Sequence, residues 1–177
     1  MSHSAAEFVS LRIAVLTVSD TRTPDTDTSG ALLVEKLSEA GHQLAGRALL
    51  RDDIWQLRAQ VCQWVADGDV QVILITGGTG FTGRDSTPEA LMPLFDKHVD
   101  GFGELFRQLS FAEIGTSTIQ SRAVAGLADG VLICCLPGST GACRTAWDGI
   151  LASQLDSRFR PCNFVQHLRG ADAQRCG

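Results

Sequence analysis

No C-x-x-C pair occurs in this chain and its four histidines are scattered, so a zinc site of the usual ligand spacing is not indicated. No long basic run interrupts a net charge of -5, which argues against a general nucleic-acid surface. An anionic small molecule would then be held by local loops and a metal rather than by a global positive field. No stretch is long and apolar enough to span a membrane, and the opening MSHSAAEFVS lacks the basic region and apolar run of a signal peptide. Tyrosine is missing and aromatics are sparse, yet the 44% hydrophobic content and 177 residues suit one packed domain. Repeats, linkers and low-complexity segments are absent too. A single domain over residues 10–165 is expected, with flexible ends at 1–9 and 166–177. Of the six cysteines, Cys134 and Cys135 sit in the apolar run VLICCLP and read as buried strand residues. The set is expected to be reduced thiols in a soluble, cytoplasmic protein.

What is abundant is glycine, concentrated in VQVILITGGTGFTGRDSTPEA, residues 70–90. The apolar start reads as a buried parallel strand. Four of the seven residues from Gly77 to Gly83 are glycine, which is more than a plain strand-to-helix turn needs. Ser86-Thr87-Pro88-Glu89 then reads as a helix start, with Glu89 placed to close a capping box. Strand, glycine turn and helix start is an arrangement in which backbone N–H groups meet phosphate. Asp85 within it would repel a phosphate unless a cation lay between them, so a metal-nucleotide complex is indicated. Gly78 to Gly83 matches the dinucleotide pattern G-x-G-x-x-G by letter, but the helix starts too late and no strand with a terminal acid follows about 20 residues on. The same glycines have P-loop spacing, but Arg84-Asp85 stands where Lys-Ser/Thr is required.

Strand-like and helical runs alternate along the chain. Strands are expected at 11–18, 44–50, 70–76 and 131–136. Helices are expected at 29–40, 53–66, 87–97, 104–110 (after a break at Gly101-Phe102-Gly103), 116–125 and 140–155. The alternation indicates a three-layer α/β/α fold with a mostly parallel central sheet. Ligands of such sheets bind at the carboxyl ends of the strands. Those ends carry Thr17-Val18-Ser19-Asp20, Arg51-Asp52-Asp53, Thr76-Gly77-Gly78-Thr79-Gly80 and Pro137-Gly138-Ser139-Thr140-Gly141.

In this order the segments TVSD (17–20), DTSG (27–30), LLRDD (49–53), ITGGTGFTGRDSTPEAL (75–91), GFGELFRQLS (101–110), QSRAVAG (120–126) and LPGST (136–140) resemble the molybdenum-cofactor biosynthesis family that includes molybdopterin adenylyltransferase (MogA-like) and the MoaB proteins. The ending LPGSTGACRTAWDGIL is most similar to the MoaB branch. The resemblance covers roughly residues 10 to 165. It implies the molybdopterin-binding-domain-like form of the α/β/α fold, molybdopterin binding, and a homo-oligomer, a trimer or a hexamer. It further implies adenylylation of molybdopterin from Mg-ATP before metal insertion, with Asp52 and Asp85 as the functional aspartates. A non-catalytic member that holds molybdopterin or a nucleotide, or acts as a scaffold, is the alternative.

The residues suit the implied chemistry. The phosphate of molybdopterin is already anionic, so no general base is required, and charge on the ATP phosphates is the difficulty. Asp52 and Asp85 would hold Mg²⁺ jointly with substrate phosphates. Gly77, Gly78, Thr79 and Gly80 would present N–H donors. Ser19, Thr87, Pro137, Gly138, Ser139 and Thr140 would position phosphate or pterin groups. Each assignment has a structural counterpart: Asp52 as the cap of the helix from Ile54, Asp85 as the cap of the Thr87 helix, Asp20 as a turn former, and Arg107 as half of an ion pair. His98 reads as structural or surface. Trp147, with Ile150 and Phe164, reads as core or as part of an apolar subunit contact.

Overall fold

The computed structural model describes residues 7–170. Its centre is one six-stranded sheet in the order β2-β1-β3-β6-β5-β4. The strands are β1 (Arg12–Val18), β2 (Gln43–Leu50), β3 (Val72–Thr76), β4 (Lys97–His98), β5 (Val124–Ala128) and β6 (Val131–Leu136). The pairs β2–β1, β1–β3 and β3–β6 are parallel, and β5 runs antiparallel to both neighbours. The helices are α1 (Thr28–Glu39), α2 (Ile54–Ala66), α3 (Thr87–Leu91), α4 (Asp100–Ile114), α5 (Thr140–Ala146) and α6 (Ala152–Gln154).

The central strands are buried on both faces, which is why they read as continuous apolar runs. Their side chains alternate between two apolar layers. Ile13, Val15, Val72, Leu74, Leu132 and Cys134 meet α1, α4 and α5 on one side. Ala14, Leu16, Ile73, Ile75, Ile133 and Cys135 meet α2 and α3 on the other. The expected three-layer fold with a largely parallel sheet is therefore what the chain adopts.

Three element readings need correction. The helix expected over 87–97 stops at Leu91 and tightens into a 3₁₀ turn over Met92–Leu94, where Pro93 has no N–H to continue it. The chain then turns outward into β4. The glycines at 101 and 103 do not break a helix but lie inside the first turn of α4. Gly103 is there for clearance, since a Cβ would come within 2.5 Å of the Ala123 carbonyl oxygen. The helix expected over 116–125 is a 3₁₀ turn at Gly115–Gln120 followed by β5. Between β5 and β6, Asp129 and Gly130 both have positive φ (47° and 74°), as a two-residue hairpin turn of the primed type requires.

The last long helix runs over 140–154 and contains a π turn at Trp147–Leu151. Trp147 and Ile150 are only 3% and 6% exposed, and Phe164 packs against the same layer, so they fill the subunit's own core. Of the two readings, core or exposed subunit contact, the core is the one they adopt. Of the C-terminal end, the described part up to Gly170 is tied down. Leu168 is buried, and Arg169 donates to the carbonyl oxygens of Val65 (2.8 Å) and Asp129 (2.9 Å). Residues 1–6 and 171–177, which hold most of the expected flexible ends, lie outside the described residues. No helix among the described residues is long and apolar enough to cross a membrane.

Candidate functional site

A cavity of about 590 Å³ opens at the carboxyl ends of β1, β3 and β6. Its floor is Thr17–Ser19, Thr76–Gly80 and Pro137–Ser139, and α4 with the following 3₁₀ turn supplies the opposite wall through Ser110, Glu113 and Gln120. Of the residues singled out from sequence, Ser19, Gly77, Gly78, Thr79, Gly80, Asp85, Pro137, Gly138 and Ser139 all line this cavity.

The glycine turn is shaped by what lies beneath it. At Gly77 (φ +106°) a Cβ would collide with the carbonyl oxygen of Val18. At Gly78 (φ +67°) it would meet Thr87 Oγ1 and stand 2.6 Å from Asp52 Oδ2. The Gly77 N–H is already engaged by the Leu136 carbonyl at 3.0 Å. Those of Gly78 and Thr79 have no partner among the described residues, so two amides of the turn remain for a ligand. Thr87 is fully buried and donates to the Gly77 carbonyl at 2.9 Å. It holds the turn from below and does not line the cavity.

The aspartates separate into distinct roles. Asp85 lies at the cavity with Oδ2 accepting from Thr82 N (2.8 Å) and Thr82 Oγ1 (2.6 Å). Those hydrogen bonds hold its carboxyl below the usual range, so it is an anion at neutral pH. Asp52 is buried behind the turn and accepts from both the N–H and the hydroxyl of Ser86. Burial raises its pKa in spite of those bonds. Neither is a helix cap. Asp53 caps α2 by accepting from Trp55 N and Gln56 N, both at 2.9 Å. Ser86 occupies the cap position of α3 with its hydroxyl spent on Asp52, and Glu89 pairs with Arg122, so the expected capping box does not form. Asp20 forms a two-pronged pair with Arg84 (both contacts 2.9 Å), which lowers its pKa. It also accepts from Asp52 N at 3.3 Å.

Thr140 likewise stays out of the lining. Its hydroxyl bonds Thr28 Oγ1 at 3.0 Å, while Ser139 caps α5 through Ala142 N at 3.1 Å. Arg107 has no carboxylate partner among the described residues; its guanidinium donates to the carbonyls of Ser121 and Ala123. His98 is exposed, as expected of a surface residue.

Sequence reasoning passed over two arginines. Arg122 donates to the carbonyl oxygens of Thr79 (3.2 Å), Gly80 (2.9 Å) and Asp85 (3.1 Å), clamping the glycine turn and the Asp85 loop together. Arg22 lines the cavity and reaches Ser29 Oγ at 2.8 Å and the Gly138 carbonyl at 3.1 Å. Both lie in or beside segments that carried the resemblance (QSRAVAG and the link from TVSD to DTSG), which was the available signal.

No group of three His, Cys, Asp or Glu residues among the described ones could hold a metal by itself. The donor set fits instead a Mg²⁺ ion shared with ligand phosphates, for which one or two carboxylates suffice. Asp85 is the one of the pair that faces the cavity, and its Oδ1 is not among the hydrogen-bonded atoms.

Comparison with known proteins places the chain in a family. The model of the family described as a probable molybdopterin binding domain matches residues 14–157. Molybdenum cofactor biosynthesis protein B of Escherichia coli (strain K12) is 58% identical over 169 residues, 96% of this chain and 99% of that protein. A crystal structure of a molybdenum cofactor biosynthesis protein B superposes with a TM-score of 0.80 at 42% identity, covering 83% of this chain and 92% of the other. The tungsten cofactor synthesizing protein MoaB from Pyrococcus furiosus does so with 0.74 at 34%, covering 81% and 92%. The chain belongs to the molybdenum cofactor biosynthesis protein B family.

Proposed function

We propose that the chain binds molybdopterin in the cavity over β1, β3 and β6 during assembly of the molybdenum cofactor. The observation that carries this reading is the glycine turn, whose Gly78 and Thr79 amides have no partner among the described residues beside the hydroxyl- and glycine-lined floor. Its volume of about 590 Å³ lies within the roughly 300–1,000 Å³ of small-molecule sites. Equilibrium binding of molybdopterin, monitored by pterin fluorescence under anaerobic conditions, tests it. Saturable one-to-one binding is expected, and no binding at ligand concentrations well above micromolar would sink the reading.

Adenylyl transfer is the second reading, and Asp85 is what favours it. That carboxylate stays ionised at the cavity edge with one oxygen free, where it would hold Mg²⁺ against ATP phosphates. The ion, when bound, would neutralise the charge on the phosphates. The chain's part would be to align phosphate groups through the Gly78 and Thr79 amides and to keep the Asp85 loop in place through Arg122. Asp52 supports the turn from behind in this scheme, by way of Ser86. Incubation with molybdopterin and Mg-ATP should then yield adenylylated product. Its absence from a protein that binds both would leave the holding role alone.

A homo-oligomer, three or six chains, belongs to the same proposal. Among the exposed large apolar side chains, Phe111 (57%), Ile114 (54%) and Ile119 (73%) lie at the end of α4 and in the turn after it. Light scattering under reducing conditions should report a mass of three or six chains. A monomer at micromolar concentration would count against it.

A further inference from the structure

Arg22 is the only lysine, arginine or histidine among the described residues that line the cavity. Asp85 and Glu113, which also line it, would make it hostile to a phosphate without that charge. Resting on the binding reading above, we propose that Arg22 grips the phosphate group of the cavity's ligand and that the buried Asp27 is its positioning residue.

The geometry of Asp27 separates this role from a purely structural one. Its carboxylate is almost completely buried, yet it is satisfied without Arg22. Oδ1 accepts from Gly30 N at 2.9 Å, and Oδ2 accepts from Thr17 Oγ1 at 2.8 Å and from Arg47 Nη2 at 3.0 Å. Arg22 stands farther off, with Nη1 3.8 Å from Oδ1. Arg47 thus neutralises the buried charge, and Arg22 is attracted to it without being consumed by it. The other contacts of the Arg22 guanidinium go to the neutral acceptors Ser29 Oγ and the Gly138 carbonyl. A guanidinium offers five N–H donors in a planar fork that matches phosphate oxygens, and two hydrogen bonds leave several free. Its side chain is 29% exposed, at the cavity.

The backbone holds the residue in place as well. Ser19 Oγ accepts from Arg22 N at 3.0 Å, so the loop after β1 returns to the floor. Gly30 has to be glycine for Asp27 to enter, because a Cβ there would overlap the Asp27 carboxylate. Ser29 Oγ also donates to the Gly138 carbonyl at 2.7 Å. The DTSG segment is in this way a mount that sets one cation against the Pro137–Ser139 loop.

The test compares wild type, Arg22→Gln and Arg22→Lys for binding of inorganic pyrophosphate, molybdopterin and dephosphorylated molybdopterin, at fixed ionic strength. Unliganded melting temperatures serve as the folding control. Arg22→Gln should weaken the two phosphate-bearing ligands by about 10- to 100-fold, the range of charge-assisted hydrogen bonds, and leave the dephosphorylated pterin nearly unchanged. Arg22→Lys should recover part of the loss. Asp27→Asn should lower the same phosphate preference less, and add nothing when Arg22 is already glutamine. Equal losses for phosphorylated and dephosphorylated pterin, or unaltered pyrophosphate affinity in Arg22→Gln, would overturn the assignment. Wild type that binds pyrophosphate through Arg22 but not molybdopterin would remove the functional reading and leave this inference standing. Wild type that binds neither phosphate-bearing ligand would remove both.

Discussion

Gly78 has no side chain, yet two others depend on that. Thr87 Oγ1 and Asp52 Oδ2 occupy the space a Cβ would need, and the backbone there is at φ +67°. Gly78→Ala should therefore destabilise the fold by about 1–3 kcal/mol, the usual cost of a strained left-handed residue, before any ligand is considered. Urea denaturation measures it, and an unchanged midpoint would show that the turn can yield. Asp52 and Asp85 should part company under the same chemical change. Asp85→Asn should keep the melting temperature and, on the adenylyl-transfer reading proposed above, lower product formation by about 10²-fold or more, as losing an electrostatic anchor does. Asp52→Asn should chiefly cost stability, about 1–3 kcal/mol, because half of its acceptor capacity to Ser86 is lost. The motif marked both aspartates alike. Asp85 faces the cavity, while Asp52 is held behind the turn by Ser86, 34 residues from it in sequence, a pairing that local spacing does not reveal.

Among the elements, the strands and helices that bury apolar faces were legible, because their periodicity is their cause. The pieces that eluded it are those whose neighbours decide. Val124–Ala128 has no strong strand signature and becomes β5 because β6 is there to pair with it. Asp129-Gly130 is a hairpin signal that the sequence reading passed over. Gly103 looked like a breaker because its reason, the Ala123 carbonyl, is 20 residues distant. The Arg122 clamp joins such distant pieces as well, since it stands just before β5 and holds the turn after β3. Arg122→Gln should loosen residues 77–85 without unfolding the sheet. Hydrogen exchange there should accelerate by about tenfold or more, while the amides of β1, β3 and β6 keep their protection. Uniform acceleration across the sheet would mean that the clamp serves the whole fold.

The molecule as a whole should respond to acid through His42. Its ring is buried beside Phe8 and Trp147, and Nδ1 accepts from Leu11 N at 3.2 Å. Burial pushes its pKa below the ordinary 6.5, against a smaller opposing pull from Asp156. The unfolded chain then takes up the proton more readily than the folded one. The stability that neutral His42 confers is intact above pH 6.5 and is lost as pH falls from there through the lowered folded value. Denaturation midpoints between pH 7.5 and 5 should decline in wild type and decline less in His42→Gln. Identical slopes would clear His42 of the effect. From sequence this histidine was one of four scattered ones, since its neighbours converge from both ends of the domain.

The two adjacent cysteines of β6 lie on opposite sides of the sheet, Cys134 in one apolar layer and Cys135 in the other. Burial pushes the Cys135 thiol up to about 12 and that of Cys143 to about 11, and raises Cys134 as well. Thiolate, the form that alkylating reagents attack, is therefore scarce at these positions in the folded chain. Cys62 and Cys162 stand in solvent. Among the described residues the protein thus carries its own clock for opening: two thiols that a maleimide should tag at once, and a back-to-back pair whose tagging waits for the fold to breathe. Mass spectrometry of the β6 peptide would read it. Equal delays at Cys134 and Cys135 mean that the two layers come apart as one cooperative unit, and unequal delays name the layer that yields first.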